Sequence, residues 1–319
     1  MSTPLEVHLD AGTQEAALRA DVVAGLTATP KRLPPKWFYD ARGSELFEQI
    51  TELPEYYPTR AERAILTARA PEIARLTGAR TLIELGSGYS TKTRLLLEAL
   101  RPTLFVPMDV SPTALEAAAA HVGTDFPSVR VQGIVGDITR HLGFLPQAPD
   151  RLVAFLGGTI GNFEPAERAH FLADVRAVLR PGEHLLLGTD LVKSPKVLVP
   201  AYDDAAGVTA EFNKNVLRVL NRHLQADFDV DGFAHVALWD ADHEWIEMRL
   251  RSRWPQRVTI PAVDLVVEFK TGEEIRTEIS AKFRREGVEK ELTEAGFTLT
   301  HWWTDPEARF ALSLAQVTI

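Results

Sequence analysis

Thr81-Leu82-Ile83-Glu84-Leu85-Gly86-Ser87-Gly88 is the stretch whose reading decides the fold. A short apolar run carrying one acid suits a strand buried on both faces of a parallel sheet. The glycines after it let the backbone turn tightly and approach a ligand with no Cβ in the way. A helix is predicted to follow over residues 91–100. A glycine-bearing turn between strand and helix is common, so at this point a purely structural turn stands level with a nucleotide site. Two details move the balance. The dinucleotide fingerprint wants a third small residue where this chain has Thr91, which weakens a nicotinamide reading. An acid just before the glycines, with Asp109 at the end of the next strand, suits S-adenosylmethionine instead.

Downstream, strands are predicted at 103–108, 129–134, 152–156 and 184–188, alternating with helices at 112–122 and 165–179. That alternation predicts a parallel sheet covered by helices on both faces. Pro181-Gly182 closes the last of these helices. Upstream, Thr59 and Glu62 have capping-box spacing, so a helix should start there and end near Gly78. The first 60 residues contain a helix at 15–26, a break at Pro30, Pro34 and Pro35, and a short helix at 44–51. After Asp190 the rhythm changes. One or two helices are expected within 202–224, then strands at 233–239, 245–253, 263–269 and 275–280. Gly272 between the last two predicts a hairpin. A helix at 286–295 and two strands, 297–303 and 310–315, end the chain.

Composition narrows the function. With 319 residues, 45% hydrophobic and 25% charged, the chain can bury substantial cores and is not a disordered one. It has no cysteine, which excludes disulfides, thiolate metal sites and cysteine nucleophiles. A net charge of -9 with interspersed basic residues argues against a nucleic-acid partner. No apolar run reaches a membrane span, and residues 1–10 lack the pattern of an export signal. A cytoplasmic protein acting on small molecules, without membrane, nucleic acid or metal and as a monomer, is expected.

Site candidates come from the ends of the predicted strands. Asp109 is placed to accept hydrogen bonds from a ribose hydroxyl pair, the alternative being a cap on the following helix. Gly136-Asp137 follows the third strand, where a carboxylate can accept from an adenine amine. Lys92 lies in the first turn of a helix, against the macrodipole, which suggests an anionic group nearby such as the donor's methionine carboxylate. Leu156-Gly157-Gly158-Thr159-Ile160-Gly161-Asn162-Phe163 forms the next strand-end loop, where Asn162 could orient an amine or a carboxylate. In Ile275-Arg276-Thr277-Glu278-Ile279-Ser280 strict alternation puts Glu278 and Ser280 on one face. An acid and a hydroxyl side by side could grip an imidazole, although a solvent-facing polar strand is the ordinary reading.

Longer motifs carry a resemblance. Leu33 to Asp40, Leu53 to Arg60, Glu84 to Gly88, Phe155 to Gly157 with Thr159 to Asn162, Gly188 to Lys193, Ala201 to Thr209 and His301 to Pro306 look like the bacterial L-histidine Nα-methyltransferases of ergothioneine biosynthesis. The similarity runs over nearly the whole chain, departing at Tyr89, Thr91 and Gly158. It implies an α/β fold: a class I, Rossmann-like methyltransferase domain ending in an antiparallel hairpin, with a second α+β domain that closes over histidine. The expected boundaries are 61–195 with 287–319 for donor binding, and 1–60 with 196–286 for the substrate. By resemblance, Tyr56, Asn162, Tyr202, Met248, Glu278 and Ser280 contact histidine, and Gly86, Lys92, Asp109 and Asp137 contact S-adenosylmethionine. Tyr39 lies beside the amine, so that Tyr39 and Asn162 are the catalytic candidates. Histidine would be methylated three times, to hercynine. Another aromatic amino acid as substrate, a nicotinamide-dependent oxidoreductase and a non-catalytic binding protein remain the alternatives.

Overall fold

The computed structural model describes residues 5–88, 90 and 92–318. Tyr89 and Thr91, at which the chain departs from the resembled pattern, lie outside the described residues. The chain divides into two compact units. One comprises the described residues within Met1–Leu9, Pro58–Val192 and Lys282–Ile319, the other Asp10–Tyr57 and Lys193–Ala281.

In the first unit the strand Thr81–Leu85 is buried at every position. It runs parallel between Leu104–Asp109 and Arg151–Phe155. The sheet continues through Ile134–Val135 to Glu6–Val7 on one side, and through His184–Asp190, Phe310–Val317 and Phe297–Thr304 on the other. The last two strands are antiparallel. The alternation implies the parallel part of this sheet, and the resemblance implies its class I, Rossmann-like methyltransferase form with a closing antiparallel hairpin. Leu82, Phe105, Ala154 and Leu186 form one core with residues of the helices Tyr57–Thr77, Arg94–Leu100 and Pro112–Asp125. On the opposite face Phe155 meets Phe171 of the helix Pro165–Val178, with ring centroids 4.7 Å apart. Both faces are therefore covered, as a parallel sheet requires.

Three local expectations differ from what forms. The run 129–134 splits into Arg130–Val131 and Ile134–Val135, which pair separately with Leu104–Asp109. Between them the Gly133 carbonyl accepts from Glu6 N–H at 2.9 Å. Glu6–Val7 thereby joins this sheet, whereas residues 1–60 were expected together in the other domain. The third difference is the start of the long helix. It begins at Tyr57, so Thr59 lies inside it and Glu62 faces the core instead of closing a capping box.

The second unit contains a four-stranded sheet in the order Lys31–Arg32, Glu274–Ala281, Trp245–Ser252, Phe233–Asp240. The helix Val208–Leu224 lays its buried side, including Phe212, Val216 and Leu220, into the core of this unit. Residues 202–207 are not part of that helix. Gly207 turns into it at φ +76°, and the Asp204 carboxylate caps it by accepting from Val208 and Thr209 N–H at 3.0 and 2.7 Å. The predicted hairpin around Gly272 does not form as a ladder. Leu265–Phe269 pairs instead with Gln256–Ile260, a strand not anticipated, and Glu274–Ala281 pairs with Trp245–Ser252. Gly272, at φ +81°, donates to Ser252 O at 2.8 Å, so the turn delivers the chain to the other strand. Among the described residues no helix is long and apolar enough to cross a membrane.

Candidate active site

Gly86 and Gly88 take φ +64° and +48°, a region that favours glycine. Gly86 and Ser87 N–H both reach Met108 O, at 2.8 and 3.1 Å, which ties the loop to the neighbouring strand. Among the described residues a Cβ on either glycine would meet nothing within 4 Å, so they leave space beside the loop. The Ser87 hydroxyl is buried and has no hydrogen-bond partner among the described residues. A hydroxyl without a partner and two uncrowded glycines, among the described residues, at a strand end fit a polar nucleotide-like ligand.

Glu84 lies beneath that loop and is occupied by protein. It accepts from Ser90 Oγ at 2.8 Å and from Thr93 Oγ1. Burial pushes its carboxyl up to about 7, with the two hydroxyls and Lys92 working against the rise. Glu84 therefore braces the loop. Asp109 is placed differently. One of its oxygens accepts from Gly88 N–H at 2.8 Å and the other from Ser111 N–H at 2.9 Å. Burial raises its carboxyl above the usual range, opposed by these N–H groups. Ser111, not Asp109, caps the helix that follows. With one bond on each oxygen, Asp109 retains acceptor capacity for two further donors.

Asp137 forms a tight turn, its Oδ1 accepting from Thr139 N–H at 2.8 Å and Thr139 Oγ1 at 2.6 Å. Its own N–H donates to His141 Nδ1 at 2.9 Å. Lys92 pairs with Glu62, whose second oxygen accepts from Gly157 N–H at 2.7 Å. Gly157 and Gly158, at φ +80° and +71°, lead into the turn Thr159–Asn162. A Cβ at Gly158 would lie 3.4 Å from the Phe310 ring, so this departure from the resembled pattern keeps a glycine conformation. Asn162 is half-buried, and its side-chain amide makes no hydrogen bond among the described residues.

In the second unit, strand register sets the constellation. Met248 lies opposite Glu278 and Ile246 opposite Ser280, so the four side chains share one face. Glu278 and Ser280 are both buried, which removes the solvent-facing reading of that strand. The Tyr202 hydroxyl lies 2.7 Å from Ser280 Oγ. Tyr39 and Tyr56 both meet Phe47 edge-on, with centroids 5.7 and 6.2 Å apart, and Tyr39 meets Phe212 at 5.4 Å. The structure thus gathers Tyr202 with Ser280, Met248 with Glu278, and Tyr39 with Tyr56 through Phe47. In the first unit it joins Asp109 to the glycine loop and Lys92 to the loop before Asn162. Glu62, Ser87 and Phe47 were not anticipated, since an acid, a serine and a phenylalanine at such positions read locally as a cap, a turn and a core residue. No group of metal-ligating side chains occurs among the described residues.

Comparison with known proteins adds the family. A family model described as "histidine-specific methyltransferase, SAM-dependent" matches residues 18–317. The chain is 56% identical to the histidine N-alpha-methyltransferase of Mycolicibacterium smegmatis, covering 99% of both chains. It is 54% identical to the enzyme of that name from Mycobacterium tuberculosis, covering 97% of both. It is 32% identical to ergothioneine biosynthesis protein 1 of Neurospora crassa, over 86% of this chain and 32% of that one. The chain belongs to the histidine-specific, S-adenosylmethionine-dependent methyltransferase family.

Proposed function

We propose that the protein methylates the α-amine of L-histidine three times, giving hercynine for ergothioneine biosynthesis. S-adenosylmethionine, when bound, supplies an electrophilic methyl group on a sulfonium. Asp109 accepts from the ribose hydroxyls, Asp137 from the adenine amine, and Lys92 meets the methionine carboxylate beside the open Gly86 loop. Asn162 and Tyr202 hold the substrate's carboxylate and aim its nitrogen. Glu278 accepts from the imidazole N–H and Ser280 meets the other ring nitrogen, with Met248 against the ring. The amine must lose its proton to solvent before its lone pair can attack the methyl carbon in line, and burial favours that neutral form. As the N–C bond forms the C–S bond breaks, its electron pair stays on sulfur and S-adenosylhomocysteine leaves. Positioning supplies much of the rate. Tyr39 and Tyr56 provide an aromatic wall, suited to the cationic tetra-alkyl product. The reaction belongs in the cytoplasm, and the protein acts as a monomer on small molecules.

One observation carries the choice of histidine. Glu278 and Ser280 are buried on a single strand face, with Ser280 hydrogen-bonded to Tyr202 and Glu278 opposite Met248. Such a face offers a ring two polar contacts and one apolar one. The test is to incubate the protein with labelled donor and each of the twenty amino acids and to weigh the products. Label in histidine alone, reaching three methyl groups, is expected. Label confined to another amino acid, or to none, overturns the proposal.

A further inference from the structure

Behind the Tyr202–Ser280 pair runs a chain of buried polar groups whose hydrogens can be placed by elimination. Asn213, on the helix Val208–Leu224, is wholly buried. Its Nδ2 lies 3.1 Å from Arg249 O, and its Oδ1 accepts from Thr277 Oγ1 at 2.6 Å. A carbonyl can only accept, so the amide nitrogen must face Arg249, and it therefore also faces His235 Nδ1, 2.8 Å away. His235 Nδ1 must then be bare. At the other side of the ring, Nε2 lies 2.8 Å from Tyr202 O, again a pure acceptor, so Nε2 carries the hydrogen. Two carbonyls thus leave His235 one arrangement: neutral, with hydrogen on Nε2.

The chain touches the candidate substrate face from behind at three places. His235 holds the backbone of Tyr202. Thr277, the residue before Glu278, shares its one hydroxyl hydrogen between Asn213 Oδ1 at 2.6 Å and Met248 O at 3.0 Å. Asn213 also binds Arg249 O, beyond the register shift between Met248 and Arg249. A strand irregularity at this point re-aims the side chains beside it.

We infer that His235 and Asn213 are positioning residues for the amino-acid site, holding Tyr202, Met248 and Glu278 in place, and that protonation of His235 loosens amino-acid binding. The inference rests on the assignment of those three residues to the substrate. A protonated ring would set an N–H against the Asn213 amide N–H, and turning that amide would set its oxygen against Arg249 O. Burial lowers the readiness of His235 to take a proton, Lys214 lowers it further, and the Tyr202 carbonyl, Asp203 and Asp204 favour it. Asp203 is the nearest of these charges, 3.8 Å from Nε2. The net effect is downward, so the loosening is confined to pH below the ordinary histidine value of 6.5.

The test compares wild type, His235→Gln, Thr277→Val and Tyr202→Phe in steady-state kinetics. His235→Gln should raise KM for histidine about tenfold, with KM for the donor within about twofold and kcat within about threefold. Thr277→Val, which keeps shape and loses only the hydroxyl, should raise KM for histidine about threefold and serves if the first variant fails to fold. The substrate imidazole also titrates, so the pH arm is a difference: KM should rise more steeply on acidification in wild type than in His235→Gln. Nitrogen NMR should find hydrogen on Nε2 of His235 at neutral pH. Unchanged KM in His235→Gln and Thr277→Val, parallel pH profiles, or hydrogen on Nδ1 overturns the inference. If Tyr202→Phe also leaves KM for histidine unchanged, the substrate assignment itself fails. If Tyr202→Phe alone raises it, only the positioning inference fails.

Discussion

Glu62 grips Lys92 with one carboxylate oxygen and the backbone N–H of Gly157, at 2.7 Å, with the other. One fully buried side chain on the helix Tyr57–Thr77 thus braces both the segment after the glycine turn and the loop leading to Asn162. The neighbouring strand is shaped to allow it. A Cβ at Gly188 would collide with Glu62 Oε1 and approach the Phe310 ring at 3.2 Å.

Removing either part should therefore be felt. Glu62→Ala leaves Lys92 without its acid and should cost about 3–5 kcal/mol of stability. Gly188→Ala should cost about 1–3 kcal/mol through overpacking. Urea unfolding measures both, and a loss below about 0.5 kcal/mol in either variant would contradict this packing.

Glu84 predicts a pH signature. Its folded value of about 7 exceeds the ordinary 4.5, so the folded protein holds this proton over a range where the unfolded chain releases it. The stability contributed by the bound proton is complete below pH 4.5 and is lost as pH rises through about 7. The total is on the order of 3 kcal/mol. Glu84→Gln lacks the titration, so wild-type stability measured relative to that variant should fall by about this amount between pH 4.5 and 8. A difference that stays constant across that range would refute the assignment.

Asp109→Asn should weaken donor binding by about tenfold to a hundredfold, the worth of hydrogen bonds to a charged acceptor. The new amide also brings its own hydrogens towards Gly88 or Ser111 N–H, so some loop loosening should accompany the loss. Calorimetry with S-adenosylhomocysteine reads it out. Unaltered affinity would remove Asp109 from the donor site.

Glu278→Ala should reduce histidine affinity by about a hundredfold while donor affinity changes by less than about twofold. Equal losses for both ligands would indicate a damaged fold, and unchanged histidine affinity would remove Glu278 from the site.

Much of the fold was legible because its signals are local. The buried run Thr81–Leu85, the positive-φ glycines after it and the alternation of strands and helices all act within a few residues of one another. The common face of Glu278 and Ser280 was legible for the same reason, since it follows from the two-residue repeat of a strand.

Pairing and partnership were decided elsewhere. Nothing local distinguishes Leu265–Phe269 from Trp245–Ser252 as the partner of Glu274–Ala281, and the turn at Gly272 pointed to the wrong one. Glu62 has the spacing of a cap, yet its partners lie 30 and 95 residues away. His235, Asn213 and Tyr202 carry no joint signature along the chain. The amino-acid order by itself determined most of the strands, helices and turns of the first unit and the two-residue alternation of Glu274–Ala281, because short-range sterics and periodic burial select them. Only the tertiary structure decided which acid meets which base and which tautomer a buried histidine adopts. A polar group removed from water must bond to whatever folding brings beside it, and that neighbour is chosen by packing rather than by distance along the chain.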